Sequence, residues 1–401
     1  MMKIADDSAI FFIFMWLFSR DKRRKEKNMK KQNICNVILL VLLAGVIAFF
    51  SLSYIFVPAH GFSEDENRVL QTAPRFTLEK LLDGTYTRQL HDYFSDQINL
   101  RTKMVELKAF FELAMGKNEN NGVLLGKDGY LIETYPYTDE NYTFLKNNIR
   151  KIDKLSQILS ENGISVTRSV IPRKVDILTD KFPPYYSAER NASAWEYVDD
   201  SYVDLKSALT SAQKQNGAFY KTDHHWTAEG AYAAYRVLGE ELGYSPLPIS
   251  HFELYILSND FRGTTYSTSG FFFAPAEEIK SPRVDPNRYT TTIVDINYSF
   301  DGIIDESYLT KKDKYSAFLS GNNGHVIITD TQNTDKETLI IIKDSYSHSL
   351  SPFLLEHYNI ELIDPRYYIG SIEEYVLESE AKNVLFLIGL DTLASANLSI
   401  R

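Results

Sequence analysis

From Asn36 to Val57 the chain is uncharged and strongly apolar, long enough to span a bilayer as one helix. It follows a basic stretch, Arg20-Asp21-Lys22-Arg23-Arg24-Lys25-Glu26-Lys27-Asn28-Met29-Lys30-Lys31. Positive charge on that side puts the N-terminus in the cytoplasm and everything after Val57 outside. A cleaved signal peptide is the rival, but its apolar region would be shorter, and Val57-Pro58-Ala59 is a poor cleavage site. The favoured reading is an uncleaved single-pass anchor over residues 34–57 in the cell membrane, with the main domain extracellular. Ala9 to Phe18 is also apolar but too short to span. Because Met29-Lys30-Lys31 stands directly before the anchor, residues 1–28 read as an upstream extension of the true start.

Charge divides at the anchor. Residues 1–33 carry nine Lys/Arg and four Asp/Glu, net +5, whereas the remainder carries 34 and 49, net −15. An acidic ectodomain argues against nucleic acid, and against binding anionic lipid or anionic glycan by bulk charge. An anionic substrate would need a local basic patch. Cys35 is the single cysteine, so no disulfide forms within the chain. A bacterial surface protein satisfies both the missing disulfides and the outside location.

After a basic cytoplasmic segment (1–33) and the anchor, residues 58–120 read as a juxtamembrane helical stalk or collar. Helical patterns run over Leu78 to Leu82 and Thr87 to Leu113, broken near Asp96. Residues 121–401 carry an α/β rhythm. A hairpin flanks Lys127-Asp128-Gly129, a helix runs from Asn141 to Glu161, a buried strand from Ile164 to Ile171, and a helix from Ala192 to Ala212. The rhythm returns with strand Leu339 to Ile342, a helix near Ser347 to Tyr358, strand Ile360 to Ile363, helix Ser371 to Glu378, strand Val384 to Ile388 and a last helix from Asp391. Between them, 250–335 reads as an insertion of short strands and loops, a candidate substrate wall.

Two segments carry chemistry. Ala218-Phe219-Tyr220 reads as a strand end, followed by Lys221-Thr222-Asp223-His224-His225-Trp226-Thr227 and an amphipathic helix closed by Gly243. Thr227 is its N-cap residue and Glu229 a favourable first-turn charge. An Asp two residues before a His can hold the imidazole in one tautomer for base catalysis. At the other segment, Leu339 to Ile342 runs into Lys343-Asp344-Ser345-Tyr346-Ser347-His348-Ser349. A Ser at the carboxyl end of a buried parallel strand, opening a helix, suits a nucleophile, because ligands bind at such strand ends and free N–H groups face an oxyanion. By itself, Asp-Ser before a helix is also an ordinary cap.

Together these segments resemble the SGNH hydrolase-like proteins of alginate O-acetylation, and most closely the DHHW family named for the Asp223-His224-His225-Trp226 turn. The order Asp223, His225, Ser345 matches the permuted order of those proteins. Glu66-Asn67-Arg68 with Asp96 and Arg101, Gly126-Lys127-Asp128-Gly129-Tyr130-Leu131, Ile171-Pro172-Arg173-Lys174, Phe261-Arg262-Gly263-Thr264-Thr265-Tyr266-Ser267 and Asp364-Pro365-Arg366-Tyr367-Tyr368 are similar to recurrent loops of that family. The resemblance covers roughly residues 62 to 390. It implies a three-layer α/β/α SGNH-like domain with a central, mostly parallel sheet.

As a triad, Ser345 would attack an acyl carbonyl, His225 take its proton and Asp223 orient His225. His225 is preferred to the extra His224 because it directly precedes Trp226, as in the acetyltransferases. The Ser345 N–H and Gly263 are candidate oxyanion donors, His224 is a further candidate for the oxyanion or substrate, and Lys174 and Arg366 are candidate sources of local positive charge, or else surface ion pairs. Lys343-Asp344 departs from the Gly-Thr that precedes the acetyltransferase nucleophile. Asp223, His224, His225 and His348 are a conceivable zinc set, but no ligand spacing supports it, and no cofactor is implied. Trp226 reads as packing under the His; His348 and His357 read as solvated or capping residues. Two functions stay open: a membrane-anchored O-acyltransferase or esterase acting on a cell-surface polysaccharide, with a multispanning membrane O-acyltransferase as donor partner, or an inactive accessory that binds the glycan or that partner.

Overall fold

The computed structural model describes residues 7–63, 68–134 and 136–401. Glu66 and Asn67 of the family-like opening segment lie outside them. The described chain forms two compact units. The first comprises Met1–Phe62 with Val69–Arg101, and the second Ser63–Arg68 with Thr102–Arg401.

In the first unit, helix α1 (Asp7–Phe56) contains Lys31–Tyr54, 24 residues apolar and long enough to cross a membrane. Its apolar side chains, such as Leu39 and Leu40, are exposed, as a lipid-facing helix requires. A short helix, Leu78–Leu82, is capped by Thr77, whose side chain accepts from Lys80 N–H at 3.2 Å. Helix α2 (Thr85–Gln97) follows. The helix break expected near Asp96 falls at residues 98–100, where Leu100 takes a positive φ of 61°.

The second unit includes helix α3 (Arg101–Ala114) from Thr102 onward and the hairpin strands β1 (Val123–Leu125) and β2 (Leu131–Glu133). It then forms a seven-stranded sheet. Along the chain come α4 (Asp139–Glu161), β3 (Ser165–Ile171), α5 (Lys174–Ile177), α6 (Lys206–Gln215) and α7 (Ala228–Leu242). After them come β4 (Leu254–Phe261), α8 (Thr264–Ser269), β5 (Glu277–Pro282), β6 (Tyr289–Ile293), β7 (Tyr298–Asp301) and β8 (His325–Asp330). The chain closes with β9 (Thr338–Lys343), α9 (Tyr346–Leu354), β10 (Asn359–Ile363), α10 (Ile372–Glu378), β11 (Asn383–Gly389) and α11 (Leu390–Ser395). The strand order is β7-β6-β8-β10-β9-β11-β3.

Strands β10, β9, β11 and β3 are parallel to one another, whereas β8, β6 and β7 add antiparallel pairings at one edge. The sheet is therefore mixed rather than mostly parallel. The insertion is also less of an insertion than expected: β6, β7 and β8 extend the main sheet, while β4 and β5 pair separately. Only Val294–Ile296 and Asn297 separate β6 from β7, and so short a connection forces an antiparallel pair.

Side chains along β9 alternate between two cores. Leu339 and Ile341 pack with Tyr235 and Leu238 of α7 and Leu350 and Phe353 of α9. Ile340 and Ile342 pack with Ile149, Ile152 and Leu155 of α4 and with Ile372 and Val376 of α10. Helical layers on both faces explain why this strand is apolar throughout. The helix expected over residues 192–212 is instead a 3₁₀ segment, Ala188–Tyr197, followed by α6.

Candidate active site

The carboxyl ends of β3, β9 and β11 meet at Ile171, Lys343 and Gly389, and a cavity of about 490 Å³ opens there. Ser345, Asp344 and Tyr346 line it, as do His224, Lys174 and Arg366. Its walls include Glu133 and Tyr137, Thr264 and Thr268 of α8, and Asp391 and Thr392 of α11.

Ser345 stands immediately before α9, two residues beyond the end of β9. Its Oγ is 2.7 Å from His225 Nε2, and His225 Nδ1 is 2.5 Å from Asp223 Oδ1. Asp223 Oδ1 also accepts from the His225 N–H (2.9 Å), and Oδ2 accepts from the Thr264 N–H (2.7 Å). Burial would raise the Asp223 pKa, but the charges of His224 and His225 and the His225 hydrogen bonds outweigh it and hold the carboxyl well below its ordinary value. The more exposed His224 ring lies 4.0 Å from His225 and lines the cavity. Burial opposes charging His224, yet Asp223, Glu133, Asp344 and Asp391 together raise its pKa. Burial and then the facing His224 lower the pKa of His225 against the pull of Asp223, which favours the neutral imidazole a base needs. Asp223, His224 and His225 offer ligand atoms within 4.8 Å of one another, but both ring nitrogens of His225 are engaged with Asp223 and Ser345.

The loop carrying these residues is not the end of a sheet strand. Residues 218–220 contribute one isolated bridge, Phe219 to Trp226, so most backbone groups of the loop need other partners. The N–H groups of Leu131 (to the Lys221 carbonyl, 2.9 Å) and Tyr266 (to the Thr222 carbonyl, 2.8 Å) supply some, and a buried lysine and a half-buried glutamate supply others. Lys174, only 4% exposed, directs Nζ at the carbonyls of Leu131 (2.5 Å), Lys221 (3.0 Å) and Asp223 (3.0 Å). Glu277 accepts from the N–H groups of Lys221 (2.8 Å) and Thr222 (2.7 Å) and from Thr222 Oγ1 (2.5 Å). An ammonium on the carbonyl side and a carboxylate on the N–H side thus clamp the backbone just before His225. Burial lowers the Lys174 pKa to about 8, with Glu277, Asp223 and Glu133 opposing the shift.

Glycines allow the close packing around this loop. A Cβ on Gly230 of α7 would run into the Ala218 carbonyl, and one on Gly263 would overlap the Asp223 carboxylate. Trp226, fully buried, donates its indole N–H toward the Tyr346 carbonyl (3.1 Å) and Ser349 Oγ (2.9 Å), joining the two motif segments. This is the packing role expected for it.

Several expectations change. Gly263 sits behind Asp223, its N–H directed at Thr222 Oγ1 (3.4 Å), so it offers no oxyanion donor. Lys174 is no surface ion pair, and its three protons are spent on carbonyls. Arg366 lines the cavity but is bidentate to Asp364, at 2.9 and 2.7 Å. His348 is buried rather than solvated, and its Nε2 lies 2.8 Å from Lys343 Nζ. His357 is partly buried, with Nε2 2.8 Å from Tyr235 Oη. The departures before Ser345 are built into the fold: Lys343 reaches Asp364 (3.2 Å), while Asp344 Oδ2 accepts from the Gly389 N–H and Thr392 Oγ1, each at 2.7 Å. Sequence reading missed Tyr315, which stacks on the His225 ring at 3.8 Å and 10° and whose hydroxyl lies 3.0 Å from Ser349 Oγ. It also missed Glu277, whose chain position gave no signal.

Residues 123–259 match the family model described as the SGNH hydrolase-like domain of acetyltransferase AlgX. A probable alginate O-acetylase AlgJ of Pseudomonas syringae pv. tomato is 24% identical over 173 residues, covering 40% of this chain and 43% of that protein. The Pseudomonas aeruginosa protein of the same description is 22% identical over 193 residues, 43% of this chain and 47% of its own. The chain thus spans less than half the length of these curated relatives. A DHHW family protein from Eubacterium siraeum has a similar fold, with a TM-score of 0.57 at 21% identity over 70% of this chain and 94% of its own. Bacillus cereus PatB1, solved with a sulfonyl adduct, scores 0.55 at 18% identity over 68% of this chain and 95% of its own. The chain is thus similar over residues 123–259 to the SGNH hydrolase-like domain of the alginate O-acetylation proteins, and its fold is similar to that of a DHHW family protein, the two groups its motifs resemble.

Proposed function

We propose that this chain is a membrane-anchored extracellular O-acyltransferase, or an esterase with the same machinery, acting in O-acetylation of a cell-surface polysaccharide through Ser345, His225 and Asp223. The observation that carries the reading is the run of contacts from Ser345 Oγ through His225 to Asp223, at 2.7 and 2.5 Å, on the edge of an open cavity. In the proposed reaction Ser345 Oγ attacks the acyl carbonyl carbon of a donor while His225 Nε2 takes the hydroxyl proton. The Ser345 N–H, at the start of α9 and without a protein acceptor among the described residues, faces the oxyanion. Collapse expels the donor's leaving group, which receives the proton from Nε2. A sugar hydroxyl then attacks the acyl-enzyme, giving up its proton to His225, and the proton returns to Ser345 Oγ as the ester leaves. Water in the same position gives hydrolysis.

The printed descriptions of the AlgJ relatives support a polysaccharide acceptor. The apolar helix supports a membrane location, the basic residues before it support a domain on the outside, and a multispanning acyltransferase supplying the acyl group is what the family resemblance implies. The test is intact mass spectrometry of the full-length protein in detergent, quenched early after mixing with p-nitrophenyl acetate, beside Ser345→Ala and His225→Ala. An acetyl adduct that maps to Ser345 and vanishes in Ser345→Ala is expected. Equal labelling of wild type and Ser345→Ala would overturn the assignment, leaving the inactive accessory that binds glycan or a membrane acyltransferase.

A further inference from the structure

Helix α3 turns its bulkiest apolar side chains outward. Its small residues face the protein: Ala109 shares a core cluster with Val123, Leu131 and Phe271, and Val105 closes on Gly270, where an added Cβ would meet Cγ1 at 2.9 Å. The opposite side carries Leu107, Phe110, Phe111 and Met115, which share one helical face and are each more than half exposed. A second element adds to it. Gly270 ends α8 in the left-handed region, and the turn that follows buries Phe271 but leaves Phe272 and Phe273 47 and 49% exposed. Backbone bonds from the Phe272 N–H to the Gly270 carbonyl (3.0 Å) and from the Ala274 N–H to the Phe271 carbonyl (3.1 Å) fix that turn. The side-chain amides of Asn120 and Asn121, just beyond α3, donate to the carbonyls of Ser269 (2.7 Å) and Thr268 (3.0 Å) and so tie α3 to α8.

A helix that only covers a core points such residues inward, and a contiguous exposed apolar patch marks a contact surface. The charges on α3 say which kind. Its carboxylates, Glu106 and Glu112, are only 20 and 19% exposed, whereas Lys103 and Lys108 are 72 and 52% exposed. Outward aromatic and aliphatic side chains flanked by lysines, with the acids turned away, suit the boundary between headgroups and acyl chains, where lysine stems follow the apolar surface and their ammonium groups stay in water. The chain also brings such a boundary within reach. Its apolar span, Lys31–Tyr54, fits a bilayer, and only residues 55–100 separate that span from α3.

We propose that α3 and the Phe271–Phe273 turn form a lipid-docking face, which lays the second unit on the surface of the bilayer that the chain's own apolar helix spans. The proposal stands apart from the acyl-transfer reading but bears on it. Thr264 and Thr268 of α8 line the cavity, and α8 runs directly into the docking turn, so docking holds the cavity wall beside the membrane, where a donor delivered through the bilayer arrives.

The test uses the full-length protein in lipid nanodiscs of phosphatidylcholine, alone or with one part in four of phosphatidylglycerol. In a Cys35→Ser background, Phe111→Cys, Phe273→Cys and, as the control, Glu240→Cys on the exposed side of α7 are each labelled with bimane. Quenching by a doxyl lipid is compared with quenching by aqueous iodide. At 111 and 273 the doxyl lipid is expected to quench about threefold more, and iodide about threefold less, than at 240, with the anionic lipid strengthening the contrast. Adding Leu107→Glu with Phe110→Glu is expected to return the label at 273 to the control values, while an unchanged thermal melt shows the domain intact. Labels at 111 and 273 as open to iodide as the control overturn the proposal. So does shielding from both quenchers, which would mean that a second copy or another part of the protein covers the face. The Ser345 adduct is a separate readout, so either inference can fail alone.

Discussion

The lysine under the motif loop yields a pH signature that separates positioning from stability. Lys174 as an ammonium has three N–H donors, and the three carbonyls of Leu131, Lys221 and Asp223 receive them. Its pKa is lowered from 10.5 to about 8, burial being the main cause. Above that value the amine keeps two donors and gains a lone pair, so one carbonyl of the clamp loses its partner and charge assistance is lost at the others. A charge-assisted hydrogen bond contributes about 1.5–3 kcal/mol against about 0.5–1.5 for a neutral one, so roughly 1–2 kcal/mol of positioning is lost. If His225 bears that loss in the transition state, the acyl-transfer rate falls about five- to thirtyfold across a limb centred near pH 8. Stability moves the other way. A folded pKa below the unfolded one means that the unfolded chain binds more protons between about 8 and 10.5, so folding gains up to about 3 kcal/mol as pH rises through that window.

The assay is the pH profile of Ser345 acylation in wild type and Lys174→Met, beside thermal melts at each pH. Wild type should lose activity above about 8 without a fall in melting temperature attributable to Lys174. Lys174→Met should react about a hundredfold more slowly, because a misplacement of about 1 Å at a catalytic group costs that much, and should lack the alkaline limb. A limb that persists unchanged in Lys174→Met, or wild-type rates in that variant, would refute the clamp as a positioning device.

Two other substitutions probe the same geometry. Tyr315→Leu removes the ring stacked on His225 and should lower kcat about tenfold with KM little changed, whereas Tyr315→Phe keeps the ring and should retain most activity; steady-state ester hydrolysis separates them. Gly263→Ala drives a Cβ into the Asp223 carboxylate and should cost about 1–3 kcal/mol of stability, read by urea unfolding, together with a loss of acylation. Unchanged stability and activity in Gly263→Ala would mean that the backbone shifts freely there.

The legible part of the site was the part written in contiguous sequence. An unbroken apolar run over Leu339 to Ile342 names a strand covered on both faces, and a Ser just beyond it must stand at a strand end. The periodic helix after Trp226 likewise fixes where the Asp223-His225 turn must sit in the chain. What escaped notice depends on distance along the chain. Glu277 holds residues more than fifty positions away, and Tyr315, one of 26 tyrosines, reaches His225 from a short 3₁₀ turn, Lys314–Ala317. The mixed sheet, by contrast, left a local signal. Tyr289, Thr291 and Ile293 are buried while Thr290 and Thr292 are half-buried, an alternation that belongs to an antiparallel strand with one open face. Reading 250–335 as an insertion left those strands out of the main sheet, where their shorter period adds the antiparallel edge. The same contrast explains the motif loop. Its Ala218-Phe219-Tyr220 is apolar enough to look like a strand, yet those side chains fill core beside α7 and beside Phe261, while the backbone that follows is held by Lys174, Glu277 and the N–H groups of Leu131 and Tyr266. A loop held by a buried ammonium and a half-buried carboxylate in place of a sheet ladder can aim its His from outside the sheet, at the cost of tying its geometry to the protonation state of one lysine.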